Sequence, residues 1–219
     1  REEREERERQ RDAQRRAIRR TAIASSGLVG EMLTDTFDTF CPRSVSQERA
    51  VELARRAAAE YPAGRGLLLW GPDGVGKSHL ARAICNALLA RERVVWARYI
   101  YVPEIARRLR EDPEAESWLN NASVLVLDDL GALDPRETPG WALGVARCII
   151  DRAERTGRPR IFATSNESGR VIAARMGRPF VGRLHALMDW LEVRGPDARR
   201  GGRSWPPVTT DEPCLPHGS

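Results

Sequence analysis

The order of apolar and polar positions divides the chain into three parts. Residues 1 to about 27 carry no apolar stripe before Ala17 and Ile18. Glu3 and Arg7, Glu5 and Arg9, and Asp12 and Arg16 are spaced i,i+4 with the acid first, the favourable order on a helix. This segment is predicted to be a solvated, charged single helix. From 28 to about 200 the pattern is that of a domain. Val51, Leu53, Ala54, Ala57 and Ala58 recur at helical spacing between Ser44 and Tyr61, and Pro62, Gly64 and Gly66 break the run. Short apolar runs predict strands at 67–70, 94–97, 124–127, 160–164 and 188–193. Between them the period changes to that of helices: 79–90, a short basic helix at 102–110 with Pro103 in its first turn, 141–155 closed by Gly157 and Pro159, then 169–176 and 179–187. Residues 201–219 are rich in Gly, Pro and polar side chains, and disorder is expected there.

Strands alternating with helices predict an α/β fold: a five-stranded parallel sheet between two helical layers. In such sheets ligands bind beyond the carboxyl ends of the strands. The polar clusters of this sequence fall at those ends.

Composition narrows the class. The chain has 219 residues, of which 41% are hydrophobic and 31% charged, enough to bury one core without disulfides or metals. No apolar run reaches the ~20 residues of a membrane span, and the charged start shows no secretory signal. The first residue, Arg1, points to a fragment or a processed chain. Cys41, Cys85, Cys148 and Cys214 are scattered, which fits a reducing cytoplasm better than a zinc or disulfide framework. The net charge of +5 permits nucleic-acid binding without requiring it. Of the 36 basic residues, one alone is lysine, Lys77. A compact ammonium and a planar guanidinium are not interchangeable, so Lys77 is a functional candidate on composition alone.

Lys77 sits in Gly71-Pro72-Asp73-Gly74-Val75-Gly76-Lys77-Ser78, a GxxxxGK[ST] phosphate loop between a strand and a helix. Its glycines let backbone N–H groups face phosphate oxygens, and the helix N-terminus adds its dipole. Lys77 would reach the β- and γ-phosphates, and the Ser78 hydroxyl would bind Mg²⁺. The next predicted strand ends in Asp128-Asp129: the first acid suits the metal, the second an attacking water. Asp129 is one methylene shorter than the Glu of many ATPases, which leaves open a slow enzyme or a scaffold that binds ATP without hydrolysing it. The strand after it ends in Thr164-Ser165-Asn166, where Asn166 could contact the attacking water or the γ-phosphate, or simply make a turn. Arg175, Arg178, Arg183, Arg194, Arg199 and Arg200 follow. Any of them is a solvated surface group or a cation that stabilises transition-state charge in a neighbouring subunit.

LLLWGPDGVGKSHLARAICNALL, VLVLDDLGA and IFATSN together resemble the DnaC/IstB branch of the AAA+ ATPases, which holds bacterial helicase loaders and transposition helpers. The GKSHL continuation, with His79 and Leu80, is shared with the related initiator DnaA. Phe37-Asp38-Thr39-Phe40 resembles the short aromatic motif before the family's first helix, and GRLHALMDWLEVRGPDARR its closing segment. The resemblance covers about 36–200. It implies ATP and Mg²⁺ as cofactors, with the phosphate loop through His79 on the nucleotide, Ser78 and Asp128 on the metal, and Asp129 as the catalytic acid. It makes Asn166 the sensor of the γ-phosphate, Arg183 the finger reaching the next subunit, and Arg199 or Arg200 the last sensor. It places single-stranded DNA against Tyr99, Tyr101, Arg107, Arg108 and Arg110, residues equally readable as an amphipathic helix with a solvated basic face. It implies an ATP-dependent spiral or ring of copies, a replicative hexameric helicase as partner, no membrane, and no full helical lid domain. The alternative is an IstB-type helper acting on duplex DNA with a transposase; a metabolic kinase fits the paired acids poorly.

Overall fold

The computed structural model describes residues 2–93 and 95–198. Five strands, β1 (Gly66–Trp70), β2 (Ala97–Tyr101), β3 (Val124–Asp128), β4 (Arg160–Ser165) and β5 (Met188–Glu192), form one sheet in the order β2-β3-β4-β1-β5. Every neighbouring pair is parallel. All five strands therefore deliver their carboxyl ends to one rim.

Alternation along each strand sorts the side chains onto two faces. Leu67, Leu69, Val124, Val126 and Phe162 share one core with α2 (Val45–Ala59) and α3 (Lys77–Leu89). Leu68, Leu125, Leu127, Ile161 and Ala163 share the other with α4 (Ile105–Glu111), α5 (Ala115–Asn120), α6 (Gly140–Thr156), α7 (Gly169–Met176) and α8 (Arg178–Leu187). Because both faces are covered, the strands read as continuous apolar runs. The Ser44 hydroxyl caps α2 by accepting from the Gln47 N–H, and Gly157 closes α6 at φ 69°. Among the described residues no helix is long and apolar enough to cross a membrane.

Three expectations change. The second strand does not lie at 94–97 but begins at Ala97. The apolar Val95-Trp96 pair leads into it, and the strand itself carries a buried arginine, Arg98, 5% exposed. Arg98 is tolerated because its guanidinium donates to the Ser25 carbonyl at 2.7 Å and lies over the Trp96 and Trp118 rings. The basic helix at 102–110 is split into a 3-10 turn (Val102–Glu104) and α4, and α5, too short and polar to show periodicity, follows. Finally, α1 (Glu2–Ala24) is solvated along much of its length but joins the domain at its end. Ala22 and Leu28 are buried in the first core, and Arg19 donates to the Arg91 carbonyl at 2.6 Å. The expected boundary at 27 thus falls inside a packed segment. The predicted disordered tail at 201–219 lies outside the described residues.

Candidate functional site

Between β1 and α3 the chain turns through the glycine-rich loop, and several parts of the fold hold it. Gly71 N–H donates to the Ser165 carbonyl at 3.1 Å, and Gln47, buried on α2, donates to the Val75 carbonyl at 3.1 Å. Gly76 has φ 93°, and a Cβ there would stand 2.3 Å from the Phe40 ring. Only glycine fits that combination of backbone and space. The FDTF motif therefore acts as a prop beneath the loop, with Phe40 also packed on His79. After β5 the chain returns over the loop: Val193 N–H donates to the Trp70 carbonyl at 2.7 Å and Ala198 N–H to the Gly74 carbonyl at 3.0 Å. Lys77 is 5% exposed, and its ammonium donates to the Gly71 and Pro72 carbonyls at 2.8 and 2.6 Å.

Across from the loop stands the end of β3. Asp128 is 3% exposed and accepts three hydroxyls: Ser78 at 3.0 Å and Thr164 at 2.5 Å on Oδ1, and Tyr99 at 2.5 Å on Oδ2. Ser78 and Asp128 offer adjacent oxygen ligands, the donor type of a hard cation. Among the described residues no group of three or more His, Cys, Asp or Glu could hold a metal. The pair fits Mg²⁺, which takes one or two protein ligands and completes its shell with phosphates and water.

Asp129 takes φ 61°, left-handed backbone that is uncommon for a side-chain-bearing residue. Its N–H donates to Thr164 Oγ1 at 2.8 Å. Burial, and after it the charges of Asp128 and Asp73, push its pKa up, against Lys77 and the Asn166 N–H, which favour the carboxylate. A carboxylate of raised pKa is a better proton acceptor. Asp73, Gly74, Gly76, Lys77, Ser78, His79, Asp129, Thr164 and Asn166 line one cleft of about 970 Å³. The loop, the second acid and the Asn166 tip are thus brought together as expected.

The cleft has a wall that sequence reasoning did not assign. Val29, Glu31, Met32 and Asp35 line it, and α3 clamps this segment. Arg82 pairs with Asp35 at 2.5 Å, His79 Nδ1 lies 3.2 Å from Asp35, and Asn86 donates to the Met32 and Asp35 carbonyls. Burial holds His79 below the usual imidazole pKa, against the Thr36 carbonyl and the Asp35 charge, which raise it. The i,i+3 and i,i+4 spacing of His79, Arg82 and Asn86 was visible, but the partner segment was not.

Other predicted residues lie elsewhere. Arg183, on α8, pairs with Asp151 at 3.0 Å and Glu154 at 3.3 Å and does not line the cleft. Arg199 and Arg200 lie outside the described residues. Tyr99 is corrected as a DNA contact: it is 4% exposed, with its hydroxyl on Asp128, and cannot stack on a base. Arg108 is already stacked 3.8 Å from the Trp118 ring centre, and Arg107 is bound to Glu104 and Glu111. Tyr101, 45% exposed at the cleft, and Arg110 remain on the surface.

Comparison with known proteins agrees with this geometry. The chain is 41% identical over 75 residues to the replicative helicase loader DnaI of Bacillus subtilis, 32% of this chain and 24% of that one. It spans a quarter or less of the length of curated relatives it matches. The crystal structure of DnaI superposes with a TM-score of 0.65 at 28% identity, covering 78% of this chain and 93% of that one. The crystal structure of the DnaC helicase loader gives 0.66 at 25% identity, covering 76% and 100%. The family model for the ATPase family associated with various cellular activities (AAA) matches residues 67–181, from the first strand through α8's first turn. With its phosphate loop, paired acids and sheet order in place, the chain belongs to the AAA family of ATPases.

Proposed function

We propose that this chain binds Mg–ATP in the cleft, hydrolyses it between subunits, and serves DNA replication as a helicase loader. The observation that carries the ATPase reading is the convergence of Lys77, Ser78, Asp129 and Asn166 on one cleft, with buried Asp128 bound to Ser78 behind it, while Arg183 lies off it. In this reading the loop N–H groups and Lys77 hold the phosphates, and Ser78 and Asp128 would hold a Mg²⁺ ion that would neutralise phosphate charge. Asp129 accepts a proton from the attacking water, and Asn166 orients that water or the γ-phosphate. Arg183 lies off its own cleft, paired with Asp151 and Glu154, and in this reading acts on the ATP of the next copy.

The loader role rests on likeness to DnaI and DnaC, both described as helicase loaders. Its partners would be a replicative hexameric helicase and single-stranded DNA. Tyr101 and Arg110 are the surface groups left to contact the strand, by stacking and by charge.

The test is ATP hydrolysis across protein concentration, with no DNA, with single-stranded DNA and with duplex. The expected result is a rate per subunit that rises with concentration and with single strands. Stimulation by duplex alone would replace the loader with a transposition helper. A rate independent of concentration would remove the shared site.

A further inference from the structure

Tyr99 joins two parts of the molecule that the ATPase reading treats separately. One part is the metal acid. The Tyr99 hydroxyl donates to Asp128 Oδ2 at 2.5 Å, while Ser78 and Thr164 donate to Oδ1. A carboxylate turns about a single bond, so a donor that fixes one oxygen also aims the other. Tyr99 holds Oδ2 and so directs Oδ1 toward the phosphate loop. A phenol carries its proton at neutral pH, so the group acts here as the donor.

The other part is the segment that follows α1. Tyr99 N–H donates to the Ser26 carbonyl at 2.6 Å. Gly27, at φ 85°, lies so close that a Cβ would stand 2.4 Å from the Tyr99 carbonyl oxygen. Ser25 is gripped as well: its carbonyl accepts from Trp118 Nε1 at 2.6 Å and from Arg98 at 2.7 Å. β2 is an edge strand, and this strap satisfies part of the backbone that an edge leaves open. The strap therefore fixes the backbone position from which the Tyr99 ring reaches Asp128.

We infer that Tyr99 is a positioning residue for Asp128, held in place by the Ser26–Gly27 strap, and that it sets how strongly the site takes a nucleotide with its Mg²⁺. The inference rests on the ATPase reading of the cleft. It concerns Tyr99 and the strap, which do not line the cleft.

The experiment uses the full chain and a fluorescent ATP analogue, titrated once in EDTA and once with increasing Mg²⁺. Tyr99→Phe keeps the ring and removes the hydroxyl. Its affinity in EDTA should stay within about twofold of wild type, while the Mg²⁺ needed for half-maximal effect rises by roughly tenfold or more, the scale seen when a metal ligand loses its supporting hydrogen bond. Gly27→Ala leaves the phenol intact and displaces the backbone beneath it, and should move the Mg²⁺ requirement the same way. Thermal unfolding without nucleotide confirms that each variant is folded. An unchanged Mg²⁺ requirement in folded Tyr99→Phe overturns the inference. So does an equal loss of affinity with and without Mg²⁺, which would mark a purely structural role. If wild type binds no nucleotide at all, the reading of the cleft fails and takes this inference with it.

Discussion

Asp129 donates its N–H to Thr164 Oγ1 across 2.8 Å, tying the residue after β3 to the end of β4. The same hydroxyl donates to Asp128. One side chain on β4 thus ties together two adjacent acids with different surroundings. The first is buried among hydroxyl donors. The second faces the cleft, in a left-handed backbone conformation that turns it away from its neighbour.

The roles proposed for Asp129 and Lys77 separate two substitutions. Asp129→Asn should bind ATP as wild type does and lose turnover by roughly 10²–10⁴-fold, the range for removing a general base. Lys77→Ala should lose nucleotide affinity itself, by about tenfold to a hundredfold, as expected for one charge-assisted hydrogen bond. Equilibrium binding of a fluorescent nucleotide and steady-state hydrolysis, run side by side, distinguish them. An Asp129→Asn enzyme that turns over normally would exclude this residue as the base.

Arg183 makes a prediction about mixtures. Arg183→Ala should bind ATP normally and lose hydrolysis by roughly 10³-fold or more, the scale of a transition-state arginine. Lys77→Ala should also be inactive alone. Mixed together, the two variants should recover part of the activity, because a Lys77→Ala copy still offers its Arg183 to the intact cleft of an Arg183→Ala copy. If the mixture stays as inactive as its parts, or Arg183→Ala alone hydrolyses at the wild-type rate, the finger lies elsewhere.

The prop beneath the loop can be tested through stability. Gly76→Ala places a methyl 2.3 Å from the Phe40 ring at a backbone angle of 93°. Strain and overpacking of this kind cost about 1–3 kcal/mol, or roughly 2–12 °C in melting temperature for a domain of this size. Adding Phe40→Leu makes room for the methyl and leaves the backbone strain, so it should restore part of the loss. Full recovery would mean that the dihedral carries no cost, and no recovery that the ring was not the obstacle.

The sheet and the candidate site on its rim were legible because their signals are local. A phosphate loop is written in consecutive residues, Asp128-Asp129 closes the apolar run Val124–Leu127, and Asn166 stands just past the strand that begins at Arg160. The second strand was not legible in register. Val95 and Trp96 look more strand-like than Ala97-Arg98-Tyr99, and nothing local reveals that Ser25 and two indole rings will accommodate a buried arginine. Tyr99 misled for the same reason. A tyrosine among arginines has the composition of a nucleic-acid surface, and only the fold, 29 residues away at Asp128, decides that it faces inward. The wall from Val29 to Asp35 was hidden because its contacts with His79, Arg82 and Asn86 span about 44–54 residues of sequence.

The return of the chain after β5 has a practical consequence. Ala198 is hydrogen-bonded to Gly74 and lines the cleft, whereas exposed α1 residues such as Arg16 belong to a helix that packs on α3 and do not line the cleft. A fluorophore on a cysteine introduced at 198 would report what happens at the phosphate loop as it happens. The same dye at 16 would be blind to the nucleotide and sensitive to whatever α1 meets.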